Sequence, residues 1–216
     1  MSEHNPPRVV VIGGGVAGLT AGTYTARAGF DTVVVSKGES ILRRNAHLEN
    51  VPGFPAGVDA RLFVDLLEQQ AERNGCLLEA GRVTSVERTG ERFRVTVEHG
   101  DDEADSTLSS EYAIAASWSN VSYLEALEPV GLIERGSKNY VQIDDDGRTG
   151  LTGLYAAGRI AGKPHQTVVC AGHGAEVALT LIRDSDVPFY HDWVAPKGYF
   201  SDRGRDVPPG CEEIDD

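Results

Sequence analysis

Four apolar residues in succession, Val9 to Ile12, run straight into Gly13-Gly14-Gly15 and then into small and apolar side chains. The run predicts a strand buried on both faces, Leu19 to Ala28 a helix, and Asp31 to Val35 a second buried strand, so a unit of βαβ size opens the chain. Within VVVIGGGVAG the glycines fall as G-x-G-x-x-G. Gly13 makes the tight turn, Gly15 leaves room for phosphates, and Gly18 lets the helix lie close on the strand. A strand feeding a helix through such a turn presents backbone N–H groups to a dinucleotide pyrophosphate. The competing reading is a glycine turn in an α/β fold that holds no nucleotide.

The pattern then changes character. Ser36 to Gly57 is irregular, punctuated by Pro52, Gly53, Pro55 and Gly57, and too long for a bare connector. Asp59 to Arg73 places Leu62, Phe63, Leu66, Leu67 and Gln70 at helical spacing and stops at Asn74-Gly75, which predicts a helix of about four turns. Between Leu77 and Glu98 the period shortens to two, with Phe93, Val95 and Val97 on one face and Arg94, Thr96 and Glu98 on the other; this predicts a small antiparallel meander. His99 to Ser106 reads as a solvated hairpin tip, the acidic run Asp144 to Asp146 as a solvated turn, and Tyr112 to Ala116 as buried strand. Tyr140 to Ile143 and Gly153 to Ala157 are further candidate strands. A helix follows from Val168 to Arg183, carrying Gly172 and Gly174 early. Each costs about 1 kcal/mol relative to alanine in a helix interior, so close approach to a ligand or the sheet explains them both.

Composition narrows the class. With 216 residues and 40% apolar content, the chain buries about 70% of its unfolded surface on folding. No apolar run approaches the ~20 residues that span a bilayer, and the start MSEHNPP has no signal-peptide core, so a cytoplasmic protein is expected. Cys76, Cys170 and Cys211 are odd in number and widely spaced, which points to free thiols; no His, Cys and carboxylate set has metal-ligand spacing. The net charge of −13 opposes nucleic acid as a partner. Lysine occurs only at positions 37, 138, 163 and 197. An acidic, lysine-poor surface of this kind is similar to that of haloarchaeal proteins, which work where salt screens self-repulsion.

Several separated segments, in order, resemble the FAD-binding half of the thioredoxin reductase family of flavoproteins. HLENVPGFP, His47 to Pro55, is similar to the family's flavin loop; LTGLYAAGRIAG, Leu151 to Gly162, to its second FAD signature; HQTVVCAGHGAEVA, His165 to Ala178, to the segment whose helix N-terminus faces the isoalloxazine. The resemblance covers most of residues 8 to 184. It implies a three-layer α/β, Rossmann-like FAD-binding domain over 1–186 with the meander at about 82–110, followed by a tail over 187–216. For the cofactor FAD it implies Gly13, Gly15, Val16, Ala17 and Gly18 at the pyrophosphate and Ser36, Lys37 and Leu42 at the adenosine end. Asn50 falls in the flavin loop, the Val83 backbone at the adenine, Ala116 and Ser117 beside the pyrophosphate, Gly158 and Arg159 near the ribityl chain. His165, Gln166, Thr167 and Val168 fall at the ring, where a helix dipole compensates the negative charge of a reduced flavin. His47 and His165 are candidate proton carriers, Cys170 a small apolar filler near the ring, Arg43 and Arg44 candidate phosphate contacts.

The departures are equally specific. Where the family inserts a whole NADPH-binding domain holding a redox-active CxxC, this chain has only Trp118 to Asn139, 22 residues, short of even one βαβ unit of ~30. Hydride donation and the disulfide relay would therefore both be missing. The ribose-binding acid becomes Ser36, followed by Lys37, a pair that also suits the 2′-phosphate of NADP. Trp118 replaces a glycine, and Arg159 replaces the aspartate that binds the ribityl hydroxyls. The implied activity is a flavoprotein oxidoreductase, a homodimer, taking electrons from a separate donor; the rival is a non-enzymatic FAD- or NADP-binding redox sensor or interaction module. The tail outside the resemblance holds Tyr190, His191, Trp193, Tyr199 and Phe200. These would pack on the body, on a second subunit or over the flavin, with the final CEEIDD frayed.

Overall fold

The computed structural model describes residues 5–100, 104–136, 138–187, 194–204 and 206–214. Strand β1 (Arg8–Ile12) lies at the centre of a parallel sheet. Val9 and Val11 pack toward helices on one face, Val10 and Ile12 toward an antiparallel sheet on the other. Two-sided burial is why VVVI contains no polar position. Helix α1 (Val16–Arg27) leads to β2 (Asp31–Ser36), which pairs parallel with β1. β3 (His47–Leu48) and β4 (Val58–Asp59) clip the irregular stretch into a two-stranded loop. Asp59 then caps α2 (Ala60–Arg73), its carboxylate accepting the N–H groups of Arg61 and Leu62. The chain continues through β5 (Leu77–Ala80), β6 (Arg82–Thr89), β7 (Arg92–Glu98), β8 (Ser106–Ser110) and β9 (Tyr112–Ala115). After the hairpin of β10 (Leu132–Arg135) and β11 (Lys138–Val141) come β12 (Leu154–Ala156) and α3 (Thr167–Asp184). Sheet order is β12-β9-β1-β2-β5, with helices on one face and the β6-β7-β8 meander on the other.

This is the expected three-layer α/β arrangement, with Phe93, Val95 and Val97 of the meander fully buried. Four expectations need correction. Leu77–Ala80 belongs to the parallel sheet, pairing with β2 rather than with the meander, as a half-exposed edge strand. In α2, Leu62 and Leu66 are 51% and 44% exposed; the buried face is Ala60, which packs on Leu48 and Val58 of the β3–β4 loop, and Val64 and Ala71, which pack in the core with α1. Gly174 makes its close approach to α1 rather than to a ligand or the sheet, since a Cβ there would lie 2.3 Å from the Ala17 carbonyl oxygen, while Gly172 meets nothing within 4 Å. The last residues are not wholly frayed: β13 (Val194–Pro196) pairs with β14 (Glu212–Ile214), and the Glu213 carboxylate accepts N–H groups of Gly198, Phe200 and Ser201.

Trp118 to Asn139 contributes two 3-10 turns and half a hairpin, and Val121, Tyr123, Leu124, Leu127 and Val130 close the end of the meander-side core. In the tail, Tyr199 meets Phe200 edge to face with ring centroids 4.9 Å apart; Tyr190, His191 and Trp193 lie outside the described residues. The three cysteines are free thiols. No described helix is long and apolar enough to cross a membrane.

Candidate functional site

At the end of β1 the three glycines do different physical work. Gly13 has φ +122, and a Cβ on it would lie 2.6 Å from the Ala116 carbonyl oxygen. A Cβ on Gly18 would sit 1.9 Å from the Gly13 carbonyl oxygen, whereas Gly15 has nothing within 4 Å. Gly13 and Gly18 therefore bring α1 tight against the ends of β1 and β9, while Gly15 faces open space.

The helix starts differ as well. α2 is capped by Asp59, but α1 begins at Gly15 and α3 at Gln166 with no side-chain cap and no acidic residue in either first turn. Each therefore turns unpaired N–H groups and a positive dipole end outward. Both starts open into one cleft of about 510 Å³, lined at one end by residues 13–17 and at the other by Thr167 and Cys170. The turn that follows β12 lies against α1: a Cβ on Gly158 would lie 2.6 Å from the Ala17 Cβ.

Of the residues singled out in the sequence, Gly13, Gly15, Val16, Ala17, Ser36, Lys37, Leu42, Ala116, Ser117, Arg159, His165 and Thr167 line this cleft. Six others do not. Gly18 and Gly158 are buried behind it in helix and strand contacts. The Val83 side chain is in the meander-side core, beside a register irregularity of β6. Asn50 donates its side-chain N–H to Gln166 Oε1 at 2.9 Å, tying the loop after β3 to the start of α3, and Val168 is exposed on that same first turn. His47 is also outside: its Nε2 contacts the Ala56 carbonyl at 3.0 Å and holds the β3–β4 loop. Arg43 also lies outside, paired with Asp65 at 2.6 Å and Glu68 at 2.9 Å. The loop residues Gly38, Glu39, Ser40, Ile41 and Asn45, unmarked by any sequence pattern, line the cleft as well, together with Arg44, Trp118 and Cys170.

Two polar details fix its walls. Buried Tyr123 and Ser117 share a 2.8 Å hydroxyl contact, and Ser117 Oγ donates to the Asn120 carbonyl at 2.9 Å; burial pushes the Tyr123 phenol far above its ordinary value. Cys170 contacts the Pro164 carbonyl at 3.5 Å. Burial raises its thiol pKa against the opposing charge of Arg159, so the neutral thiol dominates at neutral pH.

Residues 8–47 match the family described as FAD binding domain. The thioredoxin reductase of Streptomyces clavuligerus is 39% identical over 92 residues, 41% of this chain and 28% of that protein. The thioredoxin reductase of Lactococcus lactis superposes with a TM-score of 0.70 at 14% identity, over 82% of this chain and 98% of that one. The chain is thus similar to thioredoxin reductases over part of its sequence and shares their fold. The dihydrolipoyl dehydrogenase of Haloferax volcanii is 28% identical over 198 residues, 91% of this chain but 38% of that enzyme. The chain thus spans well under half the length of these two curated relatives. Its glycine turn, its two bare helix starts and the connecting cleft form a donor set suited to an anionic diphosphate carrying a planar ring system.

Proposed function

We propose that this chain binds FAD in the cleft and acts as a flavoprotein oxidoreductase, exchanging electrons between a separate donor and an acceptor. The observation carrying this reading is that α1 and α3 leave their N-termini uncapped in one shared cleft while α2 is capped. Residues 13–17 supply N–H groups for the diphosphate, residues 36–45 enclose the adenosine end, and the start of α3, steadied by the Asn50–Gln166 contact, meets the ring. Bound FAD supplies reversible storage of two electrons; the positive end of α3 favours the more negative reduced form. A separate donor follows from the short turns and hairpin standing between β9 and β12, where the resemblance would place a whole nicotinamide-binding domain.

The proposed assembly is a cytoplasmic homodimer. Its support is the pair Leu62 and Leu66, large apolar side chains left exposed on α2, which a second copy would cover; light scattering at micromolar concentration tests it. For the cofactor, the purified chain reconstituted with FAD is expected to hold it at one per chain through gel filtration. Its visible absorption should bleach with dithionite and return with an electron acceptor. A chain that excludes FAD but retains NADP overturns the reading. A chain that holds FAD yet exchanges electrons with no donor offered turns it toward a redox sensor.

A further inference from the structure

Arginine supplies most of the positive charge of this acidic chain, and the structure repeatedly sets it beside carboxylates: Arg8 with Asp31, Arg43 with Asp65 and Glu68, Arg148 with Asp146 and Asp184. Arg159 is placed otherwise. Its guanidinium lies 4.8 Å from the centroid of the Tyr140 ring and 5.8 Å from that of Trp118. Trp118 in turn meets His165 edge to face at 6.0 Å. Among the described residues no carboxylate pairs with Arg159. Aromatic faces orient a guanidinium without cancelling its charge or using its in-plane N–H donors. Arg159 and Trp118 line the same cleft as the glycine turn, and Gly158 contacts the first turn of α1. An oriented, uncompensated cation with free donors in such a cleft is built for an oxyanion.

We propose that Arg159, held by Tyr140 and Trp118, is an anion clamp for the cofactor diphosphate. It adds a charged donor to the backbone N–H groups of the glycine turn and takes the place of the carboxylate-to-ribityl contact that the family resemblance implies. The inference rests on the reading that the cleft holds a diphosphate-bearing cofactor.

The test is equilibrium binding of FAD, ADP and riboflavin to the wild-type chain and to Arg159→Gln, Arg159→Lys and Arg159→Asp, followed calorimetrically at low and high salt. Thermal unfolding of each unliganded variant serves as the folding control. Arg159→Gln is expected to weaken FAD and ADP about tenfold or more, the range of a lost charge-assisted hydrogen bond, and to leave riboflavin, which has no phosphate, unchanged. The loss should shrink at high salt. Arg159→Lys should fall between, and Arg159→Asp should bind worse than Arg159→Gln. The clamp is overturned if Arg159→Gln binds FAD and ADP like the wild type, if riboflavin suffers equally, or if Arg159→Asp, which restores the family's carboxylate, binds FAD as tightly or more tightly. A wild-type chain that binds neither FAD nor ADP would overturn the FAD reading and the clamp together. Tight wild-type binding with indifferent variants removes the clamp alone.

Discussion

The Nδ1 of His173 accepts the backbone N–H of Gly158 at 2.8 Å, binding the second turn of α3 to the end of β12. The ring is buried and its Nε2 has no partner among the described residues. Burial pushes its pKa down from 6.5 to about 4. The unfolded chain therefore takes up a proton at this histidine below its ordinary pKa, while the folded chain resists until near pH 4. The contribution is fully present above pH 6.5 and is lost as the pH falls through this window, by up to about 3 kcal/mol. In urea unfolding at a series of pH values, His173→Asn should flatten that part of the stability curve. Equal slopes for the two proteins would refute the assignment.

Gly15 and Gly18 separate binding from folding. Gly18→Ala drives a methyl into the Gly13 carbonyl and is expected to destabilise the chain by about 1–3 kcal/mol, as overpacking does. Gly15→Ala places its methyl in open space at a φ of −86 that alanine accepts. It should unfold like the wild type yet bind FAD about tenfold or more weakly, a cost near 1.4 kcal/mol. Melting curves and flavin titrations on the two variants read this out, and a reversed pattern would exclude the assigned roles.

Two of the three thiols should differ in reactivity. Burial pushes Cys76 up to about 11, and its side chain is enclosed. Native protein is therefore expected to leave it unmodified while Cys170, which lines the cleft, reacts slowly with iodoacetamide. FAD should protect Cys170 selectively. Mass spectrometry of labelled peptides checks both statements, and labelling of Cys170 at the same rate with and without FAD would contradict its place in the cleft.

At the far end of α3, the Tyr155 hydroxyl donates to Asp184 at 2.9 Å, and Arg148 holds the same carboxylate at 2.7 Å. Both contacts keep the Asp184 carboxyl below its ordinary value, Arg148 foremost. Tyr155→Phe removes one mostly buried hydrogen bond and should cost about 0.5–1.5 kcal/mol, lowering the melting midpoint by a few degrees. An unchanged midpoint would show that the contact adds nothing net.

Much of the fold was legible because local pattern and tertiary role coincide. VVVI followed by spaced glycines can only be a strand buried on both faces and a turn, and Asp59 ahead of a helical stripe is a cap. Where the two diverge, the sequence misleads. Leu77–Ala80 is short and runs directly into the alternating segment, and only its pairing with β2 assigns it to the sheet edge. In α2, Leu62 and Leu66 look like the core face, yet it is the smaller Val64 and Ala71 that pack in the core with α1. Gly172 and Gly174 are alike in sequence and opposite in surroundings. In the site, the glycine turn and the start of α3 were readable from spacing and resemblance. The wall formed by residues 38–41 was not, because an irregular loop has no period to betray which side it turns inward.

The contact of Gly174 with the Ala17 carbonyl has a wider implication. Backbone lies against backbone there, with no side chain to yield, so the two electropositive poles sit at a fixed spacing, like the jaws of a caliper. Ligands are then sorted by reach: only a molecule whose anionic group and flat ring are held apart by that span engages both.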